Sequence, residues 1–164
     1  MNSIKIGLMV ALVQVLLIGS IGAKFLFDRN QYPSVWIATL PYDPNLPIRG
    51  RYVRLSAVVQ FEASPGADVA RAMQHVRLNV RDGALVAIPD EKGHQTVRSA
   101  TCGAEPCWVL SEPLAYFIAE HAIDPSRRKA GEKLWVEATI PPNGPPRPIC
   151  LGVQLNGKIS PLDI

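Results

Sequence analysis

Cys102 and Cys107 bracket Gly-Ala-Glu-Pro, a turn short enough to bring two thiols together. Outside a reducing compartment such a pair persists as a structural disulfide, and loop-closure entropy makes a crosslink this short worth about 2 kcal/mol. A zinc site built from Cys102, Cys107 and His94 is the competing chemistry. The four-residue gap lies at the edge of zinc-ligand spacing, and neither a second cysteine pair nor a histidine pair supports it. No metal and no cofactor is therefore expected. Cys150 is then left over, on the strand face opposite Ile149 and Leu151, where its thiol is reachable, as a reactive group or, alternatively, in a lipid-facing position. His75, His94 and His121 are scattered and read as surface or turn residues.

Other chemistry is thinly represented. The sequence holds no Gly-rich phosphate loop, no Gly-x-Ser-x-Gly elbow and no His-Glu-x-x-His helix. Asp90-Glu91 falls in a polar turn, the ordinary place for solvated charge. Tyr52, Trp108, Tyr116 and Trp135 suit core or interface packing, with a small-molecule groove as the alternative. Lys5 and Lys24 flank an apolar segment, and beyond them the remaining Lys and Arg nearly balance Asp and Glu, so the overall charge of +3 is no nucleic-acid footprint.

These side chains must be positioned by two kinds of element. Ile6 to Ala23 carries no charge and has one polar residue, Gln14. As a helix it spans roughly 27 Å, and Lys24 with Phe25-Leu26-Phe27 extends it by snorkelling. It is expected to be a transmembrane anchor over residues 1–27, uncleaved, because the run exceeds a secretory h-region despite the small pair Gly22-Ala23. Lys5 precedes the run while Lys24 and Arg29 follow it, so charge alone does not orient it. Gly7, Gly19, Ser20 and Gly22 give this helix a small-residue edge.

After the anchor the periodicity becomes that of strands. Val53, Leu55, Ala57, Val59 and Phe61 alternate with polar residues, as do Val76, Leu78 and Val80 before Asp82-Gly83, and Ala84, Val86 and Ile88 after it. Thr96–Thr101, Cys107–Leu110, Leu134–Ile140 and Ile149–Leu155 read as further strands, with a hairpin-like Asn156-Gly157 behind the last. Asp68–Gln74 fits a short helix, and Leu114–His121 is ambiguous between strand and helix. Fifteen prolines and twelve glycines among short strands indicate an all-β domain. The expected architecture is a small β-sandwich or partly closed β-barrel of about seven to nine strands. It would occupy residues 49–164, behind a Pro-rich connector and first extended segment at 28–48.

The join is the most distinctive stretch. Pro41, Pro44 and Pro47 make a rigid non-helical connector, and Arg49-Gly50 turns into the first long strand. Pro41, Asp43, Pro44, Arg49, Gly50, Tyr52 and Leu55 at these spacings resemble the signature of the GDYXXLXY family, small bacterial proteins with one N-terminal membrane segment and a domain outside the cytoplasm. The match is firm over about residues 35–57. Arg51 stands where the family has Asp, and Ala57 where it has Tyr. The resemblance implies a single-pass protein of the bacterial inner membrane with its C-terminal domain in the periplasm. It also implies an integral membrane protein as partner, since such proteins tend to be encoded beside multi-spanning membrane proteins. No activity comes with the family.

The expected function is therefore binding or scaffolding of an envelope partner protein. The alternative is a membrane-tethered hydrolase or thiol-reactive enzyme. The Arg-Gly-x-Tyr strand is similar to one in membrane-anchored signal peptidases, which pair a nucleophilic Ser with a Lys kept neutral by burial. Here Ser34 is the serine just ahead of the signature, no Met-Pro follows it, and Lys92, Lys129, Lys133 and Lys158 all sit in polar turns. Exposed amines stay charged near neutral pH and make poor bases.

Overall fold

In the computed structural model, the described residues are 3–42, 52–62, 73–119, 122, 124–126, 128–129 and 131–163. The chain divides into two compact units, one ending at Pro33 and the other running from Ser34. The first is a single helix, α1 (Ser3–Gln31). Its stretch Ile4–Gln31 has a mean hydropathy of 2.3, with none of its most apolar window buried. At 1.5 Å per residue α1 is about 43 Å long, more than the roughly 30 Å of hydrocarbon in a bilayer. It is long and apolar enough to serve as a single-pass anchor, and a signal sequence has the same character. The helix runs four residues past the apolar segment. Pro33 then stops it, because the residue before a proline is pushed out of the α region.

Among its described residues the second unit is all-β, with ten strands: β1 (Ser34–Pro41), β2 (Tyr52–Phe61), β3 (Met73–Arg81), β4 (Ala84–Pro89), β5 (Gln95–Cys102), β6 (Glu105–Leu110), β7 (Leu114–Phe117), β8 (Lys133–Thr139), β9 (Arg147–Leu155) and β10 (Lys158–Pro161). The order is β10-β9-β8-β1-β2-β4-β3-β5-β6, and β6 returns to pair with β2. Five strands, β2-β4-β3-β5-β6, thus close on themselves as a ring. Among the described residues all pairings are antiparallel except β2 with β4, where Gln60 and Phe61 lie beside Val86 and Ala87.

β2 belongs to two sheets at once. Its first half pairs with β1 through Thr39↔Ala57 to Pro41↔Leu55, and on the opposite edge with β7 through Leu55↔Leu114 to Tyr52↔Phe117. Its second half pairs with β4 and β6. The alternation read from the sequence holds at most positions: Val53, Leu55, Ala57 and Val59 are buried and Arg54 and Gln60 exposed, but Ser56 on the polar face is buried as well, and Phe61 is only partly buried. Those four residues join Val35 and Ile37 of β1, Val76 and Leu78 of β3, Val97 of β5, Leu110 of β6, Val136 of β8 and Leu151 of β9 in one core. At about 1.5–3 kcal/mol for each fully buried aliphatic side chain, this shared core is the main favourable term of the fold.

Three two-residue turns set the registers. Asp82 and Gly83 have φ of 50° and 72°, and Asn156 and Gly157 have 51° and 80°, the pattern of type I′ turns between Arg81↔Ala84 and Leu155↔Lys158. Gly103, at φ 71°, opens the turn that joins Cys102 to Glu105.

Several details depart from the sequence reading. Ten strands exceed the seven to nine expected, because β10 has four residues and ends in Pro161, too short for a period to show. The extended segment foreseen ahead of Arg49 is β1, a full member of the sheet, and Pro41 is its last paired residue. Met73 and Gln74, placed in a short helix, lie in β3, while the rest of that helix (68–72) falls outside the described residues. Leu114–Phe117 resolves as strand, and His121 is not described. Ile149 does not share the face of Leu151 and Val153, because a bulge opposite Glu137 and Ala138 leaves it between the pairs Glu137↔Cys150 and Ala138↔Pro148.

Deleting residues 1–27 is expected to release a soluble, folded β domain with a cooperative unfolding transition. In that domain Leu55→Ala, at a side chain 1% exposed in β2, should lower stability in urea titrations by about 2–5 kcal/mol.

Candidate functional site

Of the side chains singled out in the sequence, the structure brings together two groups. The first is at the tip of the β5–β6 hairpin. Antiparallel register places Cys102 opposite Glu105 and Ala100 opposite Cys107, so the two cysteines are diagonal neighbours across a tight turn. They form a disulfide with Cα atoms 5.7 Å apart, within the usual span for such bridges. The bond uses both thiols and so removes the donor set of the zinc alternative. His94 is exposed on the turn before β5, and no cluster of three His, Cys, Asp or Glu suited to a metal occurs among the described residues.

The second group crosses three strands. Ser34 starts β1, Glu137 lies in β8 opposite Trp36, and Cys150 of β9 lies opposite Glu137. Ser34 Oγ donates to Glu137 Oε1 at 2.9 Å, and Cys150 Sγ donates to Glu137 Oε2 at 3.3 Å. One carboxylate therefore receives both the hydroxyl and the thiol that the sequence offers as nucleophiles. A carboxylate opposes ionisation of a neighbouring thiol, whereas reactive cysteines sit beside cations or helix N-termini. Lys92, Lys129, Lys133 and Lys158 are all exposed. The arrangement is a hydrogen-bonded row that ties β1, β8 and β9 together.

Aromatic side chains occur on β1 and β8 of this row and on β2 and β7. Trp36 sits over Gly152, so closely that a Cβ there would meet the indole at 2.7 Å, and Ile159 of β10 closes the other side. The glycine is what lets the indole approach β9 so closely. Trp135, paired with Ala38 and Gly152, has its Nε1 buried without a hydrogen-bond partner among the described residues. On β7, Tyr116 is half-buried against the core, and its pKa is raised above 10.0, first by loss of hydration and second by the charge of Cys150. Phe117, next along, is 79% exposed and meets Tyr52 edge-to-face at 6.0 Å, while the Arg54 guanidinium lies 5.6 Å over the Tyr52 ring.

Of the signature positions, Pro41 ends β1, and Tyr52 and Leu55 lie in β2 with Leu55 in the core. Asp43, Pro44, Arg49 and Gly50 fall outside the described residues, as does Arg51. Glu137 was missed. Its outward position in an alternating strand was legible, but its meeting with Ser34, 103 residues away, depends on β1 and β8 being neighbours.

The chain matches no protein-family model, no curated protein and no solved structure.

Two measurements check this geometry. Cys102→Ser with Cys107→Ser is expected to lower stability by about 2 kcal/mol, the chain-entropy value for so short a loop. Tyr116 keeps its proton more tightly folded than unfolded, so stability should be intact below about pH 10 and fall as pH rises through the raised folded value. In a series of melting curves, Tyr116→Phe should flatten that alkaline limb.

Proposed function

We propose that this protein is a membrane-tethered binding domain, exported to the periplasmic face of a bacterial inner membrane, where it docks onto a membrane-embedded partner protein. The observation that carries the reading is the Cys102–Cys107 disulfide in a chain whose N-terminal helix is long and apolar enough to cross a membrane. Structural disulfides persist in oxidising compartments and are rare in the bacterial cytosol. An exported β domain behind the helix accounts for both features, and N-terminus inside is the orientation it requires. The signature residues Pro41, Tyr52 and Leu55, with Asp43, Pro44, Arg49 and Gly50, support assignment to the GDYXXLXY family.

Tethering has a physical consequence. Tyr32 and Pro33 alone separate α1 from β1, so an uncleaved helix confines the domain to the membrane surface. Confinement raises the effective concentration of any partner in the same membrane, and a modest docking surface then suffices. The exposed Phe117 beside Tyr52, on strand β7, is the surface offered. β10 is less suited to pairing, because Lys158 and Pro161 blunt it.

Two assays test the reading in intact cells with permeabilised outer membranes. A membrane-impermeant maleimide should label Cys102 and Cys107 only after an impermeant reductant has been added. Labelling that needs lysis would place the domain in the cytoplasm and overturn the proposal. A photo-crosslinking residue at position 117 should capture a membrane-embedded protein, whereas one at position 158 should not. Capture should survive Ser34→Ala and Cys150→Ala, and its loss in either would favour the enzyme alternative.

A further inference from the structure

A cleft of about 220 Å³ opens between the β4–β5 turn and the Pro141–Gly144 loop. At about 30 Å³ per water it has room for several waters or one small molecule. Its cations are Arg77 and Lys92, and among the described residues no acidic side chain lines it. Asp90, just outside, pairs with Arg77 Nη2 at 2.6 Å and leaves the other guanidinium donors available. Lys92 is exposed and makes no ion pair among the described residues. The turn that presents it is fixed: Asp90 Oδ1 accepts from the Lys92 N–H at 2.9 Å, Asp90 O accepts from the Gly93 N–H at 2.8 Å, and His75 Nδ1 meets Gly93 O at 3.3 Å. Gly93 has no room for a side chain, since a Cβ would run into the Val76 backbone.

Gln95 is the second, independent observation. It lines the cleft, is 8% exposed, and shares its strand face with the fully buried Val97. Its side-chain amide makes no hydrogen bond among the described residues. Neither amide atom is shut off from solvent, so in a residue otherwise buried the amide is the part that opens into the cleft. A ligand in the cleft would meet that amide directly. An amide both donates and accepts, which matches a hydroxyl better than a bare anion. Phosphate sites instead converge backbone N–H groups, at a helix N-terminus or a nest, on one point. We propose that this cleft binds a small, hydroxyl-bearing carboxylate of the size of one acidic sugar, with its carboxylate toward Lys92 and Arg77 and a hydroxyl on the Gln95 amide. The assignment does not depend on which side of the membrane the domain occupies.

The test uses the full chain in detergent micelles, with the Gln95 side-chain amide followed by NMR. Sodium glucuronate should shift that resonance saturably, while glucose and inorganic phosphate at matched ionic strength should not. Lys92→Gln should weaken glucuronate binding about tenfold, the worth of one charge-assisted hydrogen bond. Gln95→Met should abolish binding while the melting temperature holds, because the amide it removes faces the cleft and makes no hydrogen bond among the described residues. Three results would overturn the proposal: glucose matching glucuronate, phosphate matching glucuronate, or no saturable shift with glucuronate.

Discussion

The backbone hydrogen bonding of β2 is the constraint on which the rest of the structure depends. A strand has two edges, and β2 uses both of them twice: β1 and β7 flank its first half, and β4 and β6 its second. Closing the five-stranded ring and extending the outer sheet therefore happen on one strand. Its inward side chains, Val53, Leu55, Ala57 and Val59, reach both parts of a single core. Because side chains alternate with period two, a one-residue slip of β2 would expose all four at once and mispair four neighbours. That cost is what fixes the register of the domain.

Much of this was legible because it is local. Asp82-Gly83 and Asn156-Gly157 announce type I′ turns through their tolerance of positive φ, and the alternations beside Asp82-Gly83 predict β3 and β4, whereas β10 behind Asn156-Gly157 is too short to show a period. Cys102 and Cys107 were readable as a pair because the intervening turn is short. What the sequence does not carry is the neighbour relation between distant strands. The parallel β2–β4 contact, ring closure by β6 and the Ser34–Glu137 hydrogen bond each join segments whose adjacency is set by the whole fold. Gln95 lies just ahead of the strand read at Thr96–Thr101, and nothing local marks it as buried or as sharing a cleft with the Pro141–Gly144 loop.

The chemistry follows from the same architecture. Strand neighbours β1, β8 and β9 deliver Ser34 and Cys150 to one carboxylate, which ties the outer sheet together. At the far end of the β5–β6 hairpin the disulfide closes a tip that packing alone would hold weakly. The surface then offers an exposed aromatic on β7 and a cationic cleft beside the β4–β5 turn. Both belong to a rigid scaffold, as recognition surfaces generally do.

Native-state hydrogen exchange across β2 tests the central claim most directly. If β2 unifies the domain, the slowest amides from Val53 to Phe61 should share one opening free energy, equal to that of global unfolding and matched by their partners in β1 and β6. Two distinct opening energies, one for the half paired with β1 and β7 and another for the half paired with β4 and β6, would show that the ring and the outer sheet fold separately, and would contradict the account.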